Sequence, residues 1–348
     1  MEPWQQHLQQ SHSDPLKLAN RLALDPGMVK AVADRYPVQL TPYLLEQLGP
    51  AGSPLWRQFV PDAIELAEDD LPADPLAEAE KSPVPAVVHR YPERVLLLAA
   101  NSCAAYCRFC TRKRRVGNRE QALSFGQVLD GIEYIAGQPD ITEVILSGGD
   151  PLTMSDGLLR ELLERLRKIE HVQLLRIATR MPAVLPERIT PQLATLLAGY
   201  QPLYLTTHFN HPHELTPAAV EACARLADAG IPLANQTVLL KEVNDELDTL
   251  AELFTKLLRA RIRPYYLHQM DPCHGTGHFR VSLQKGVELV AGLRKRVSGL
   301  ALPHYIVDTP GGHGKVELVP DNIVARGDGE WVLQAPDGTS VVIGNQGG

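Results

Sequence analysis

Between about residue 94 and residue 308, short apolar runs alternate with longer amphipathic segments, and this alternation constrains the chain more than any other feature. The runs lie at 95–100, 143–146, 173–178, 203–207, 231–239, 263–268 and 305–308. The segments between them lie near 124–137, 157–169, 190–199, 216–229, 246–260 and 283–297. Ser124, Thr190 and Thr216 stand where helix N-caps belong, and Gly230 stands where a helix should end. A repeated strand–helix unit implies a parallel sheet with right-handed crossovers. The expected class is α/β: six to seven units suggest a β/α barrel, either partial, of the (β/α)6 type, or complete; a doubly wound sheet is the competitor. No G-x-G-x-x-G follows any of the runs, so a Rossmann dinucleotide site has no support.

The flanks read differently. Residues 1–88 form short helical pieces punctuated by prolines, and 65–85 is an acidic, Pro- and Ala-rich linker or a strap over another surface. The barrel core is set at 89–315 and a β extension at 316–348. Its hairpin is expected from 331–334 and 341–343 around Pro336-Asp337-Gly338. With 44% hydrophobic and 22% charged residues, the chain reads as globular. A net charge of −7 argues against a general nucleic-acid binder. No stretch is long and apolar enough for a membrane span, and no secretory leader is visible. The expected compartment is a reducing cytoplasm.

In parallel β/α folds, chemistry gathers after the C-terminal ends of the strands. The unusual residues of this chain fall there. Cys103, Cys107 and Cys110 follow the first run, as C-x3-C-x2-C. Ser147-Gly148-Gly149-Asp150 follows the second. His208 follows the fourth, Gln236 lies in the fifth and Asp271 follows the sixth. Asp308 and the loop Pro310-Gly311-Gly312-His313-Gly314-Lys315 close the series. Five cysteines are odd in number and too few for a disulfide scaffold. Thiolates so close in sequence can converge on one metal centre. Zinc sites usually want four ligands; three thiolates on an iron–sulfur cluster leave one iron open. The sets Cys273/His274/His278 and His208/His211/His213 are incomplete as metal sites and read as cavity-mouth residues.

The cysteine motif, with an aromatic residue before its third cysteine, resembles the radical S-adenosylmethionine (SAM) superfamily. There the open iron of a [4Fe-4S] cluster is chelated by the amino and carboxylate groups of SAM. The segment 147–150 resembles the superfamily's glycine-rich stretch that holds the SAM amino group. Further segments narrow the likeness to the lysine 2,3-aminomutases. They are His89-Arg-Tyr-Pro-Glu-Arg94, Cys110-Thr-Arg-Lys-Arg114, Thr207-His-Phe-Asn-His-Pro212, Asn235-Gln-Thr-Val-Leu-Leu240, Arg263-Pro-Tyr-Tyr266 and Val307-Asp-Thr-Pro-Gly-Gly-His-Gly-Lys315. The resemblance runs from about residue 89 to about 320.

That resemblance implies a cluster on Cys103, Cys107 and Cys110, with SAM near Ser147, Gly148, Gly149, Asp150, His208 and Gln236. It implies pyridoxal 5′-phosphate (PLP) on Lys315, helped by Arg90, Tyr91 and Arg94. The glycines around Lys315 suit a loop that approaches a cofactor closely, and guanidinium suits phosphate. A phosphate-binding Walker loop fails, because Thr309 and Val316 stand where Gly and Ser or Thr are required. Arg112 would meet the substrate carboxylate, and Asp271 with Asp308 the distal ammonium of lysine.

Two converging carboxylates repel unless a cation lies between them, which favours a cationic tail over glutamate. The implied reaction is conversion of L-lysine to β-lysine, in which a 5′-deoxyadenosyl radical starts migration of the amino group from C2 to C3. An electron donor such as flavodoxin or ferredoxin would serve it, with no nucleic-acid or membrane partner; homo-oligomerisation stays open. Arginine as substrate, β-lysine supply for elongation factor P, and an iron–sulfur protein without aminomutase activity remain alternatives. No cysteine follows Cys273, so the C-terminal structural zinc of larger relatives is not expected.

Overall fold

The computed structural model describes residues 2–344, apart from 68, 69, 320, 328, 329, 336, 337 and the side chain of residue 119. Five short helices open the chain: α1 (Pro3–Gln9), α2 (Pro15–Leu22), α3 (Pro26–Arg35), α4 (Pro42–Gln47) and α5 (Pro54–Phe59). Each begins on a proline, where the missing N–H costs nothing and the fixed φ is already helical. Asp14, Asp25, Thr41 and Ser53 accept first-turn N–H groups as caps of α2 to α5. Five of the prolines that punctuate this region, Pro3, Pro15, Pro26, Pro42 and Pro54, are thus helix starts.

A sheet of nine strands follows in sequence order: β1 (Val87–Tyr91), β2 (Arg94–Ala100), β3 (Glu143–Gly148), β4 (Leu174–Thr179), β5 (Leu203–Thr207), β6 (Leu233–Leu239), β7 (Arg263–Gln269), β8 (His304–Asp308) and β9 (Lys315–Glu317). From β2 to β8 every pairing is parallel. β1 pairs antiparallel with β2, and β9 antiparallel with β8. The limits read from sequence at 88/89 and 315/316 therefore fall inside β1 and β9. The crossovers are α6 (Phe125–Ala136), α7 (Asp156–Arg167), α8 (Met181–Val184) with α9 (Pro191–Ala198), α10 (Pro217–Asp228), α11 (Leu247–Arg259) and α12 (Leu283–Leu293). Ser124, Thr190 and Thr216 cap as expected. Gly230, at φ 79°, turns the chain just beyond α10.

The helices lay one apolar stripe on the sheet. Leu159, Leu162, Leu163 and Leu166 of α7 are wholly buried, as are Leu250, Leu253, Phe254 and Leu257 of α11. Each such side chain contributes about 1.5–3 kcal/mol. They meet Val144, Leu146, Leu175, Ile177, Leu203 and Leu205 of the strands in one core. This is the α/β curled parallel sheet expected from the repeat.

The C-terminal extension is a three-stranded antiparallel sheet, β10 (Ile323–Arg326), β11 (Glu330–Gln334) and β12 (Ser340–Gly344). The expected hairpin is β11–β12, with Pro336 and Asp337 of its turn outside the described residues; β10 adds an edge that the sequence reading omits. No helix among the described residues is long and apolar enough to cross a membrane.

Candidate functional site

The cysteine loop leaves the end of β2 and is pinned from two sides. Gly149 N–H donates to Ala100 O at 2.7 Å and Asp150 N–H to Ser102 O at 2.8 Å. A Cβ on Gly149 would sit 2.3 Å from Ser102 O, so only glycine lets the end of β3 come this close to the loop. From the N-terminal region, Gln39 Nε2 donates to Cys103 O at 2.9 Å and Ala104 O at 3.1 Å. Arg108 N–H donates to Gln58 O at 2.8 Å.

Cys103, Cys107 and Cys110 are free thiols. Burial, then Asp150 and the other two cysteines, push Cys103 well above the ordinary thiol range; burial and Cys107 push Cys110 up to about 11. The three sulfurs therefore repel one another when ionised, and bound iron reverses that balance. Among the described residues no three His, Cys, Asp or Glu side chains converge tightly enough for a single ion. An iron–sulfur cluster instead takes each thiolate on a separate iron. The donor set fits a cluster.

Arg180, just past β4, is a site residue that the sequence reading misses. Its Nη1 donates to Cys107 Sγ at 2.7 Å, and its Nη2 to Gln58 Oε1 at 2.5 Å and Glu214 Oε2 at 3.1 Å. Of the residues expected near SAM, Ser147 is buried at the end of β3. Asp150 accepts from Thr179 Oγ1 at 2.8 Å, Arg180 N–H at 2.8 Å and Leu152 N–H at 3.0 Å, so its carboxylate clamps β3 to β4. His208 packs edge-on to Phe109 and contacts Asn210 Oδ1 at 3.1 Å. Burial and then Arg180 hold its imidazole well below the usual range. Gln236, on β6, lies beside Tyr266 of β7 in register.

At the other end of the site, β8 and β9 bring Asp308 opposite Lys315. Asp308 Oδ2 accepts from Lys315 Nζ at 2.5 Å and Oδ1 from Arg90 Nη2 at 2.6 Å. Lys315 N–H donates to the Tyr91 hydroxyl at 2.9 Å. The Arg94 guanidinium stacks over the Tyr91 ring, 4.2 Å from its centre. Arg90, expected at the phosphate, thus braces Asp308 here, while its buried Nε has no hydrogen-bond partner among the described residues. That orphan donor, a stacked second arginine and a lysine on a glycine loop fit an anionic aldehyde cofactor. Burial opposes ionisation of Asp308, but Lys315 and Arg90 outweigh it and hold the carboxyl below its ordinary range. Asp271 goes the other way: burial and then Asp308 push it up to about 7. His268 lies nearby, its buried Nε2 unpartnered among the described residues.

Arg112 links the two ends. Its Nε and Nη2 donate to the Glu78 carboxylate, the shortest contact being 2.6 Å, and its Nη1 to Ser147 Oγ at 3.2 Å. Glu78 belongs to the stretch read as linker or strap, and that stretch covers the barrel mouth. Pro75 O accepts from Gly311 N–H at 2.9 Å, and Leu76 O lies 2.5 Å from where a Cβ on Gly312 would be. The glycines beside Lys315 thus admit the strap as well as any cofactor.

Two sequence profiles match the chain: the Radical SAM superfamily over residues 97–254 and Lysine-2,3-aminomutase over residues 290–344. An L-lysine 2,3-aminomutase of Fusobacterium nucleatum is 45% identical over 86% of this chain and 71% of its own length. The chain belongs to the lysine 2,3-aminomutase family. An L-lysine 2,3-aminomutase of Clostridium subterminale is 44% identical over 86% of this chain and 73% of its own length. A glutamate 2,3-aminomutase of Clostridioides difficile is 37% identical over 89% of this chain and 74% of its own length. As a member of this radical SAM family of isomerases, the chain is an enzyme of the aminomutase type, and the family implies SAM and a [4Fe-4S] cluster.

Proposed function

We propose that this aminomutase depends on PLP as well as SAM and moves the amino group of L-lysine from C2 to C3. The observation that carries the substrate is the acid pair. Asp308 already holds a primary ammonium, that of Lys315, and Asp271 beside it is raised to about 7 by burial and then by Asp308. A substrate ammonium supplies a positive charge there, whereas a glutamate side chain would add a further negative one. The cluster with SAM supplies the hydrogen-abstracting radical, and PLP a delocalising carrier for the migrating nitrogen.

The chain's own residues bind and orient. Cys103, Cys107 and Cys110 would hold the cluster as thiolates. Arg180, a buried cation against Cys107, offers a partner for the SAM carboxylate, with Ser147 and the backbone of Gly148 and Gly149 lining the same side. His208, just past β5, and Gln236, on β6, are the further SAM residues. Lys315 is the PLP attachment point, Arg90 and Arg94 are the phosphate partners and Tyr91 a flat face between them. Arg112 would meet the substrate carboxylate while Asp271 and Asp308 hold its far end, so that the carbon chain between them is kept in one orientation. The strap bonded across the mouth would also limit the access of solvent.

The test is an anaerobic assay of the reconstituted chain with SAM, PLP and a reductant against lysine, arginine and glutamate. β-Lysine from lysine alone is the expected result. Preferential turnover of glutamate or arginine would overturn the substrate. Isomerisation that proceeds in protein free of PLP would overturn the cofactor reading.

A further inference from the structure

We propose that Glu78 is a positioning residue for the arginine that reads the substrate's α-carboxylate, so that the strap is part of the substrate site. The inference rests on the role given to Arg112 above. It does not depend on which amino acid is the substrate, since every α-amino acid carries that carboxylate.

The donor count separates a brace from a competitor. Glu78 Oε1 accepts from Arg112 Nε at 3.0 Å and Nη2 at 2.6 Å, and Oε2 from Nε at 2.9 Å. The carboxylate therefore lies along the Nε–Nη2 edge. Nη1 reaches Ser147 Oγ at 3.2 Å. A guanidinium carries five N–H donors. After these contacts, Nη1 and Nη2 each keep one N–H for a further carboxylate. Arg112 can hold a substrate carboxylate without releasing Glu78.

Glu78 is itself fixed. Its N–H donates to Asp74 Oδ1 at 3.1 Å, the Ala79 N–H to Asp74 Oδ2 at 3.0 Å, and Ser82 Oγ to Glu78 O at 2.6 Å. Asp74 pairs in turn with Arg114 at 2.7 Å. The strap is also bonded to the walls around the mouth: Pro72 O accepts from His274 N–H at 3.1 Å, Pro75 O from Gly311 N–H at 2.9 Å and Lys81 O from His89 N–H at 2.8 Å. The Glu78 side chain is only 5% exposed, and Arg115 adds positive charge beside it. One buried carboxylate on Arg112 thus leaves the neighbourhood cationic enough for a second. A free arginine side chain loses much rotamer freedom when a ligand fixes it; a built-in brace removes that cost from binding.

The test uses the full chain loaded with cluster and PLP. An amino acid that the wild type binds is titrated while the absorbance of the bound PLP is followed, in parallel with the matching amine that lacks the carboxylate (1,5-diaminopentane for lysine). Glu78→Gln should weaken amino-acid binding by roughly 10- to 100-fold and leave amine binding within about 2-fold. Glu78→Asp should recover part of the loss. In turnover the change should fall on KM with kcat little altered. Iron, sulfide and PLP content equal to wild type shows that the variants are folded and loaded. Tighter amino-acid binding in Glu78→Gln would make Glu78 a competitor, and equal loss for amino acid and amine would make the strap merely structural; either overturns the proposal. A wild type that answers to the amino acid beside an unchanged Glu78→Gln overturns this inference alone. A wild type that answers to no amino acid overturns the functional reading and this inference with it.

Discussion

Glu65 and Asp308 are built alike, each a buried carboxylate bridging one arginine and one lysine. Glu65 holds Arg108 at 2.6 Å and Lys113 at 2.8 Å; Asp308 holds Arg90 at 2.6 Å and Lys315 at 2.5 Å. They differ in what is left over. Around Glu65 the spare donors find carbonyls: Arg108 Nη1 reaches Pro37 O, and Lys113 Nζ reaches Arg108 O and Gly275 O. Around Asp308, Arg90 Nε has no partner among the described residues, Lys315 keeps 29% of its side chain exposed, and Asp271 stands by as a second acid. A closed network holds the cysteine loop to the N-terminal region. An open one waits for ligands. The same charge motif is structural or functional according to whether its donors are satisfied.

Matched deletions of the two lysines test the difference most severely. Lys315→Ala should abolish the absorbance band of lysine-bound PLP while the thermal transition stays close to wild type. Survival of the band would put PLP on another lysine. Lys113→Ala should do the reverse: the fold weakens, and the protein that remains folded still shows the band.

Glu65→Ala strands two buried cations and should cost about 3–5 kcal/mol in denaturant unfolding. Asp308→Asn leaves Arg90 and Lys315 more accessible to solvent or ligand, so its stability cost should be smaller. Its loss should appear in kcat/KM for a cationic substrate, by roughly 2–3 kcal/mol of binding to a charged partner. A variant of Glu65 as stable as wild type, or an Asp308→Asn protein that turns lysine over normally, would erase the contrast.

Much of this site was legible from local pattern. The cysteine spacing, the Ser147–Asp150 turn and the Lys315 loop are contiguous in sequence, and the strand–helix repeat puts all of them at one end of the sheet. The braces were not legible. Arg180 meets Gln58 across 122 residues and Glu78 meets Arg112 across 34, so neither pair forms a local pattern. The acidic stretch 65–85 reads as a linker or a strap with no partners to name; here Glu65, Asp74 and Glu78 are matched by Arg108, Arg112, Lys113 and Arg114. An acidic run ahead of a basic run on a metal-binding loop was the available signal. Asp150 and Gly149 were found for a ligand and also serve the fold: one clamps β4, and the other lets two backbones touch.

The smallest expected effect is also the one that separates the two networks by sign. Burial favours protonated Glu65, but Arg108 and Lys113 outweigh it and set its carboxyl below the ordinary range. Its contribution is full above that range and is lost as pH falls through the lowered value. Asp271 is raised to about 7, facing Asp308 and Glu78 as acids and Lys315 and Arg90 as cations. Between about pH 4, where an unfolded aspartate titrates, and the raised folded value, the folded protein binds the extra proton. The stabilisation from Asp271 is therefore present at low pH and lost as pH rises toward about 7. Asp271→Asn should flatten that decline in the unligated protein. A cationic substrate favours the carboxylate, so its binding at about pH 6 should expel close to one proton per site. Calorimetry of lysine binding in buffers of different ionisation enthalpy measures that proton. Its absence in the wild type, or its persistence in Asp271→Asn, would mean that the acid pair does not hold the substrate's cation.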